Sequence, residues 1–232
     1  MPEAVVTGSS SGIGLCVSRR LVDAGWRVQG LDCAEPWIAP GTNYVHHRID
    51  LVEADVLDAL LARLAGGQAP IHALVHAAGI MRDDAHPTTR RDHGEHLWRL
   101  HAAVAHRMIE VLAPRMPDGQ GRVVLLSSRA ARGRSGRALY AGSKAALDGI
   151  ARSWASTLLP RGIMVNVVAP GATRTAMLEG PERSAATVMQ LPIGRLIEPD
   201  EVADVVELLL GRAGAVITGQ TILLDAGVSL VG

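Results

Sequence analysis

The sequence holds no phenylalanine, two cysteines, two tyrosines and one lysine in 232 residues. Each scarcity excludes something. Cys16 and Cys33 form no CxxC or zinc-ligand spacing, so neither a disulfide framework nor a metal site is expected, and two lone thiols fit a reducing, cytoplasmic setting. No charge excess exists: 23 basic and 23 acidic residues cancel, leaving no global field to draw the chain to nucleic acid or to an anionic membrane. No apolar run nears the roughly 20 residues of a membrane span. The N-terminus passes from Met1-Pro2 straight into a strand-like EAVVT, without a charged leader.

What is present is a repeated alternation. Apolar, β-branched runs at 3–7, 27–31, 44–49, 72–76, 122–126, 164–168 and 221–224 predict strands. Longer amphipathic patterns at 12–24, 53–64, 91–115, 140–159 and 199–210 predict helices. Strands and helices in alternation with short connections imply an α/β fold: a parallel sheet of about seven strands with helices on both faces. Right-handed crossovers make the doubly wound arrangement the commonest outcome. With no linker, repeat or low-complexity segment, a single domain over 1–232 is expected.

The first predicted strand runs into Thr7-Gly8-Ser9-Ser10-Ser11-Gly12-Ile13-Gly14 and then into a helix. Glycines at a strand-to-helix turn let the backbone approach a pyrophosphate at the helix N-terminus. Alone, such a turn is a weak signal. Asp32, closing the second strand, strengthens it: a carboxylate there accepts both ribose hydroxyls of NAD and repels a 2′-phosphate. No basic residue lies in 9–11 or directly after Asp32, which favours NAD over NADP. An ordinary strand-end turn acid is the alternative at that position.

Tyr140 and Lys144 stand four apart, on one face of a predicted helix. A free phenol titrates near pH 10, too high for a base at neutrality, and an adjacent cation favours phenolate. Lysine suits this as a compact charge that also donates to ribose hydroxyls. With one lysine and two tyrosines, the spacing arises by chance on the order of one time in a hundred. Every other basic residue is arginine.

Together TGSSSGIG, HAAG at 76–79, YAGSK at 140–144, NVVAPGATRT at 166–175 and TGQTILLDAG at 218–227 resemble the short-chain dehydrogenase/reductase family in its compact form. The resemblance spans essentially the whole chain, with five motifs in the family's order. It implies a Rossmann-type fold, hydride exchange with a nicotinamide, and an NAD(H)-dependent alcohol–ketone oxidoreductase with Tyr140 as the proton-transfer group. It places Gly8, Ser10, Ser11, Gly12, Ile13 and Gly14 at the dinucleotide, Asp50 and Leu51 at the adenine, and Ala77, Ala78 and Gly79 along the cofactor. It also implies that Tyr140 and Lys144 touch the cofactor, that Pro170, Gly171, Thr173 and Thr175 hold the nicotinamide end, and that the protein is a homo-oligomer, a dimer or tetramer.

The family's serine for the substrate oxygen ends the fifth strand, where Ser127 and Ser128 both stand. The SSxA pattern selects Ser128, whereas the family's usual distance to the tyrosine selects Ser127; Ser128 is chosen here, with a loop one residue shorter. His101 occupies the place of the family's relay asparagine, and His76-Ala77 replace a pair of asparagines. Either His101 holds a relay water or the position has drifted. His101→Asn is therefore expected to preserve or raise turnover in initial-rate assays, and abolished activity would give His101 a specific role.

Arg129, Arg132, Arg134 and Arg137 crowd the fifth-strand loop, and Arg82 follows HAAG. They suit an anionic substrate or a solvated basic loop in an arginine-biased chain. A short substrate lid is expected at about 176–191, with Met177, Leu178, Val188 and Met189 as an apolar wall. The helices at 91–115 and 140–159, with Ala145, Leu147, Trp154 and Leu158, offer either a two-fold interface or internal core. A non-catalytic dinucleotide-binding or redox-sensing protein on the same scaffold is the competing function; it would not need a serine, tyrosine and lysine together.

Overall fold

The computed structural model describes residues 1–39, 41, 43–81, 84, 92–179 and 191–231. Seven strands form one sheet: β1 (Glu3–Thr7), β2 (Arg27–Asp32), β3 (Tyr44–Arg48), β4 (Ala73–His76), β5 (Arg122–Leu126), β6 (Met164–Pro170) and β7 (Thr221–Leu224). Their order is β3-β2-β1-β4-β5-β6-β7, and every pair is parallel. This is the doubly wound sheet that the alternation predicts.

The central strands are apolar because they are covered on both faces. Val5, Leu74, Val123, Leu125, Val165 and Val167 pack on one side, against α2 (Ala54–Ala65), α4 (Val104–Leu112) and α5 (Ala138–Leu158). Alternate residues, among them Ala4, Val6, Val75, Val124, Leu126 and Val168, pack on the other side, against α1 (Gly12–Asp23) and α7 (Pro199–Leu210). Arg20 ties α1 to α7 through Asp200, Asp204 and Glu207. The period of two along each strand thus separates two cores, one per helical layer.

The helix expected at 91–115 is interrupted. It consists of α3 (His93–Trp98), a π-helical turn at Arg99–Ala103, α4, and a tight 3₁₀ turn at Ala113–Arg115 that contains Pro114. The buried His76 side chain reaches this turn, with Nε2 3.1 Å from the Leu100 carbonyl. An inserted polar group drawing on one carbonyl is a recognised companion of such a bulge. On α5, Leu147 and Leu158 belong to the core, while half-buried Trp154 donates through Nε1 to His106 Nδ1 (3.1 Å). Leu147 and Leu158 are therefore committed internally rather than to a subunit contact.

Beyond β6, Thr173 bridges to Ile197, and the Arg174 N–H donates to the Ile197 carbonyl (2.8 Å). The segment expected as a substrate lid begins and ends beside this clamp in sequence. Its start forms α6 (Ala176–Glu179), and the chain ends in α8 (Val228–Val231). Residues 180–190, with Val188 and Met189, lie outside the described residues, as does Arg82. No described helix is long and apolar enough to cross a membrane. Among the described residues no cluster of His, Cys, Asp or Glu is placed to hold a metal ion.

Candidate active site

The chain leaves β1 toward β2 on one side and later returns to β4 on the other, so the strand order reverses between β1 and β4. In such sheets the carboxyl ends of these two strands open a crevice. Here the crevice is a cleft of about 560 Å³. Its floor is two turns pressed together. A Cβ on Gly8, whose φ is +68°, would stand 2.9 Å from the Ala78 nitrogen, so only glycine fits. A Cβ on Gly14 would meet the Gly8 carbonyl oxygen at 2.2 Å, which lets α1 start directly beneath the turn.

That start is open. Ser11 makes no side-chain cap on α1, and no acidic residue lies in the first turn. The free N–H groups of Gly12, Ile13 and Gly14 therefore present a positive helix end to the cleft, which suits an anion such as a pyrophosphate. At the end of β2 the Asp32 carboxylate is held by backbone, with Oδ2 accepting from Ser10 N–H and Oδ1 from Ala34 N–H, each at 2.9 Å. Each oxygen keeps a lone pair for a further donor.

A threonine joins the turns. Thr7 Oγ1 accepts from the N–H groups of Ala77 (3.1 Å) and Ala78 (3.0 Å), so its proton goes to His76 Nδ1 at 2.9 Å. His76 is then the neutral tautomer with its proton on Nε2, directed at Leu100 O. Complete burial, with Lys144 nearby, pushes its pKa down to about 3.

The other end of the cleft is formed by α5 and the end of β5. Tyr140 and Lys144, one turn apart, are both buried and both line the cleft. Lys144 Nζ donates to the Leu126 carbonyl (2.8 Å), and burial pushes its ammonium down to about 7. An anion or phenolate beside it would favour the charged form. Ser127 is buried, its hydroxyl donating to the Lys144 carbonyl (2.9 Å). Ser128 is half-buried; its Oγ accepts from Ala130 N–H (3.1 Å) and its own proton has no acceptor among the described residues.

His101 lies behind this group, fully buried. Its Nε2 accepts from Ile80 N–H (3.2 Å), and its Nδ1 lies 2.9 Å from Ser143 Oγ, which itself donates to the Tyr140 carbonyl. Those partners select the neutral ring with its proton on Nδ1. Burial and the Lys144 charge hold its pKa well below the usual range. The imidazole stands edge-on to Tyr140, with centroids 5.7 Å apart at 85°. A Cβ on Gly79 would meet His101 Nε2 at 3.1 Å and Lys144 Nζ at 3.2 Å, so the glycine of HAAG makes room for both.

The model of a family described as enoyl-(acyl carrier protein) reductase matches residues 8–229. The chain is 30% identical to 3-oxoacyl-(acyl-carrier-protein) reductase FabG of Vibrio cholerae serotype O1, over 98% of this chain and 97% of that protein. It is 33% identical to carbonyl reductase family member 4 of Danio rerio, over 98% of each. The chain belongs to the short-chain dehydrogenase/reductase family. A solved 4-hydroxyisoleucine dehydrogenase complexed with NADH shares the fold, with a TM-score of 0.90 over all of both chains at 20% identity. The family is one of oxidoreductases acting on carbonyl and alcohol groups.

All the residues that the short-chain dehydrogenase/reductase motifs single out line this cleft, except Ser10 and His101. Ser10 sits beneath it, bound to Asp32, and His101 backs Tyr140 and Gly79. The basic loop divides: Arg129, Arg134 and Arg137 line the cleft, while Arg132 is exposed and points elsewhere. Sequence reading missed Ile80, Met81 and His96 on the cleft wall, and the clamp role of Thr7. It also missed Arg48, which the register of β2 and β3 pairs with Asp32 and whose guanidinium meets Glu35 at 2.5 Å. Only the pairing of these strands could have found it.

Proposed function

We propose that this protein is an NAD(H)-dependent oxidoreductase that interconverts a secondary alcohol and a ketone, with Tyr140 as general acid/base. One observation carries the reading: Tyr140, Lys144 and Ser128 line the same cleft whose far end carries an uncapped helix start and Asp32. A bound nicotinamide dinucleotide supplies or accepts the hydride. Gly8 and the first turn of α1 hold its phosphates, and Asp32 accepts from the adenosine ribose. Ser128 donates its unused hydroxyl proton to the substrate oxygen, and Tyr140 gives or takes that oxygen's proton. Lys144, as a cation, favours the phenolate. Ile80, Met81, Met177 and Leu178 give the reacting end an apolar lining. A homo-oligomer in a cytoplasmic setting belongs to the same proposal, as does an anionic group on the substrate.

The test is a screen of secondary alcohols and ketones with NAD(H) and NADP(H), followed at the nicotinamide absorbance band. Dinucleotide binding without turnover on any substrate would leave the sensor reading instead.

Preference for NAD(H) rests on Asp32. A 2′-phosphate within about 4 Å of that carboxylate meets a repulsion of several kcal/mol at an effective dielectric near 20, so a preference on the order of 10²-fold or more is expected. Asp32→Ala should bring the NADPH-to-NADH ratio of kcat/KM to near one or above, because Arg48 already stands beside the site. Its ion pair with Glu35 is exposed and weak enough to yield. An unchanged ratio in the variant would remove Asp32 from the discrimination.

A further inference from the structure

We infer that Arg129 binds a carboxylate and that the substrate is a short oxo or hydroxy acid whose carboxylate lies a few bonds from the reacting carbon. The inference rests on the oxidoreductase reading of the same cleft and specifies its substrate class. Arg129 directly follows Ser128, opens the 3₁₀ turn Arg129–Arg132, and lines the cleft half-buried. It makes no hydrogen bond or ion pair with any described residue. Arg20, Arg48, Arg107, Arg161 and Arg195, by contrast, each hold a carboxylate. A guanidinium taken partly out of water with its donors unused is costly unless an acceptor arrives.

Among the described residues no carboxylate forms an ion pair with Arg129. Asp225 is the acid that senses Arg129: against the cost of burial, hydrogen bonds from Ser229 and Gly227 and, to a smaller extent, the Arg129 charge hold that carboxyl below its usual range. Each of its oxygens accepts one backbone N–H, from Gly227 (3.1 Å) and Ser229 (2.9 Å), and the two side chains form no ion pair. The cleft's lining carboxylates are at the opposite end, where Asp32 ends β2 and Asp50 follows β3. Among the described residues, the reacting end therefore carries Lys144 and arginines with no lining carboxylate. Arg137 is already tied to Met81, donating to its Sδ at 3.2 Å, so Arg129 is the residue on which the inference stands. A planar fork of donors matches a carboxylate in a way that a point charge does not. Ser128, proposed to hold the reacting oxygen, and Arg129 line the same cleft, so a short acid can meet both.

The probes are 3-oxobutanoate and its methyl ester, titrated calorimetrically into protein loaded with NAD⁺, which cannot reduce a ketone. The wild type should bind the acid on the order of 30-fold tighter than the ester. Arg129→Met should bring that ratio to about one and Arg129→Lys to an intermediate value, while Arg132→Met, on the exposed side of the loop, keeps the wild-type ratio. Arg129→Gln serves if the methionine variant does not fold. A wild-type ratio near one, or a ratio that survives loss of Arg129, overturns the inference. Parallel NADH turnover separates the two claims: an acid-selective protein that reduces neither probe nor any other ketone would sink the oxidoreductase reading and leave the Arg129 result standing.

Discussion

Tyr140→Phe is expected to bind NADH within about threefold of the wild type and to lose turnover by on the order of 10²–10⁴-fold. The phenyl ring keeps the buried packing, including the edge-on contact with His101 at 5.7 Å, so the fold has no reason to change. What disappears is the hydroxyl proposed to exchange a proton with the substrate oxygen. Lys144 cannot substitute: its Nζ is fixed on the Leu126 carbonyl, one helical turn along α5. Ser128 cannot either, because a serine hydroxyl is far too weak an acid to give up its proton in the same step. The measurements are cofactor fluorescence for binding and nicotinamide absorbance for rate. Turnover within tenfold of wild type would remove Tyr140 from the proposed chemistry.

The parts of this molecule that could be read from its sequence are those fixed by short stretches of chain. The strand β1, its glycine turn and the start of α1 fall within about a dozen consecutive residues, and both the period and the glycines announce them. Tyr140 and Lys144 likewise share one helical turn. What escaped depends on residues far apart in sequence. The helix expected at 91–115 contains a π turn, at which His76, from β4, reaches Leu100. Arg48 joins Asp32 only through the β2–β3 register. Arg129 and Arg132 look equivalent in the sequence, yet a single 3₁₀ turn after Ser128 sends one into the cleft and the other into solvent.

Ser127 and Ser128 show the same limit at its sharpest. Both end β5, and the sequence offers two counts that disagree. The structure gives the two hydroxyls different partners: Ser127 spends its proton on the Lys144 carbonyl and so fastens β5 to α5, while Ser128 keeps its proton. That difference supports Ser128 as the substrate-binding serine and gives Ser127 a supporting part that pattern alone could not separate.

The same buried polar groups that shape the site predict how the protein fails in acid. His76 and His101 are held neutral, His76 at about 3 and His101 well below the usual range. In the unfolded chain each titrates near 6.5. Below that pH the unfolded state binds protons that the native state refuses, so stability falls as pH falls, and it is fully present above about 6.5. Each histidine then removes about 1.4 kcal/mol per pH unit. From pH 6.5 to 4.5 His76 alone removes about 2.5 kcal/mol, and His101 adds to it, a sizeable share of what a domain has. The carboxylates held low, Glu201 at about 2 and Asp225 below its usual range, act in the same direction but only at lower pH, so this window belongs to the histidines. Urea unfolding midpoints measured between pH 7 and 4.5 should drop steeply. His76→Asn should lower the slope, with His101 and the half-buried His47, also held low, supplying the rest, since an amide accepts from the Thr7 hydroxyl but has no proton to gain. A midpoint that stays flat to pH 4.5 would mean that both rings are charged in the native state, and the neutral tautomers that join Thr7 to Leu100 and Ile80 to Ser143 would have to be abandoned.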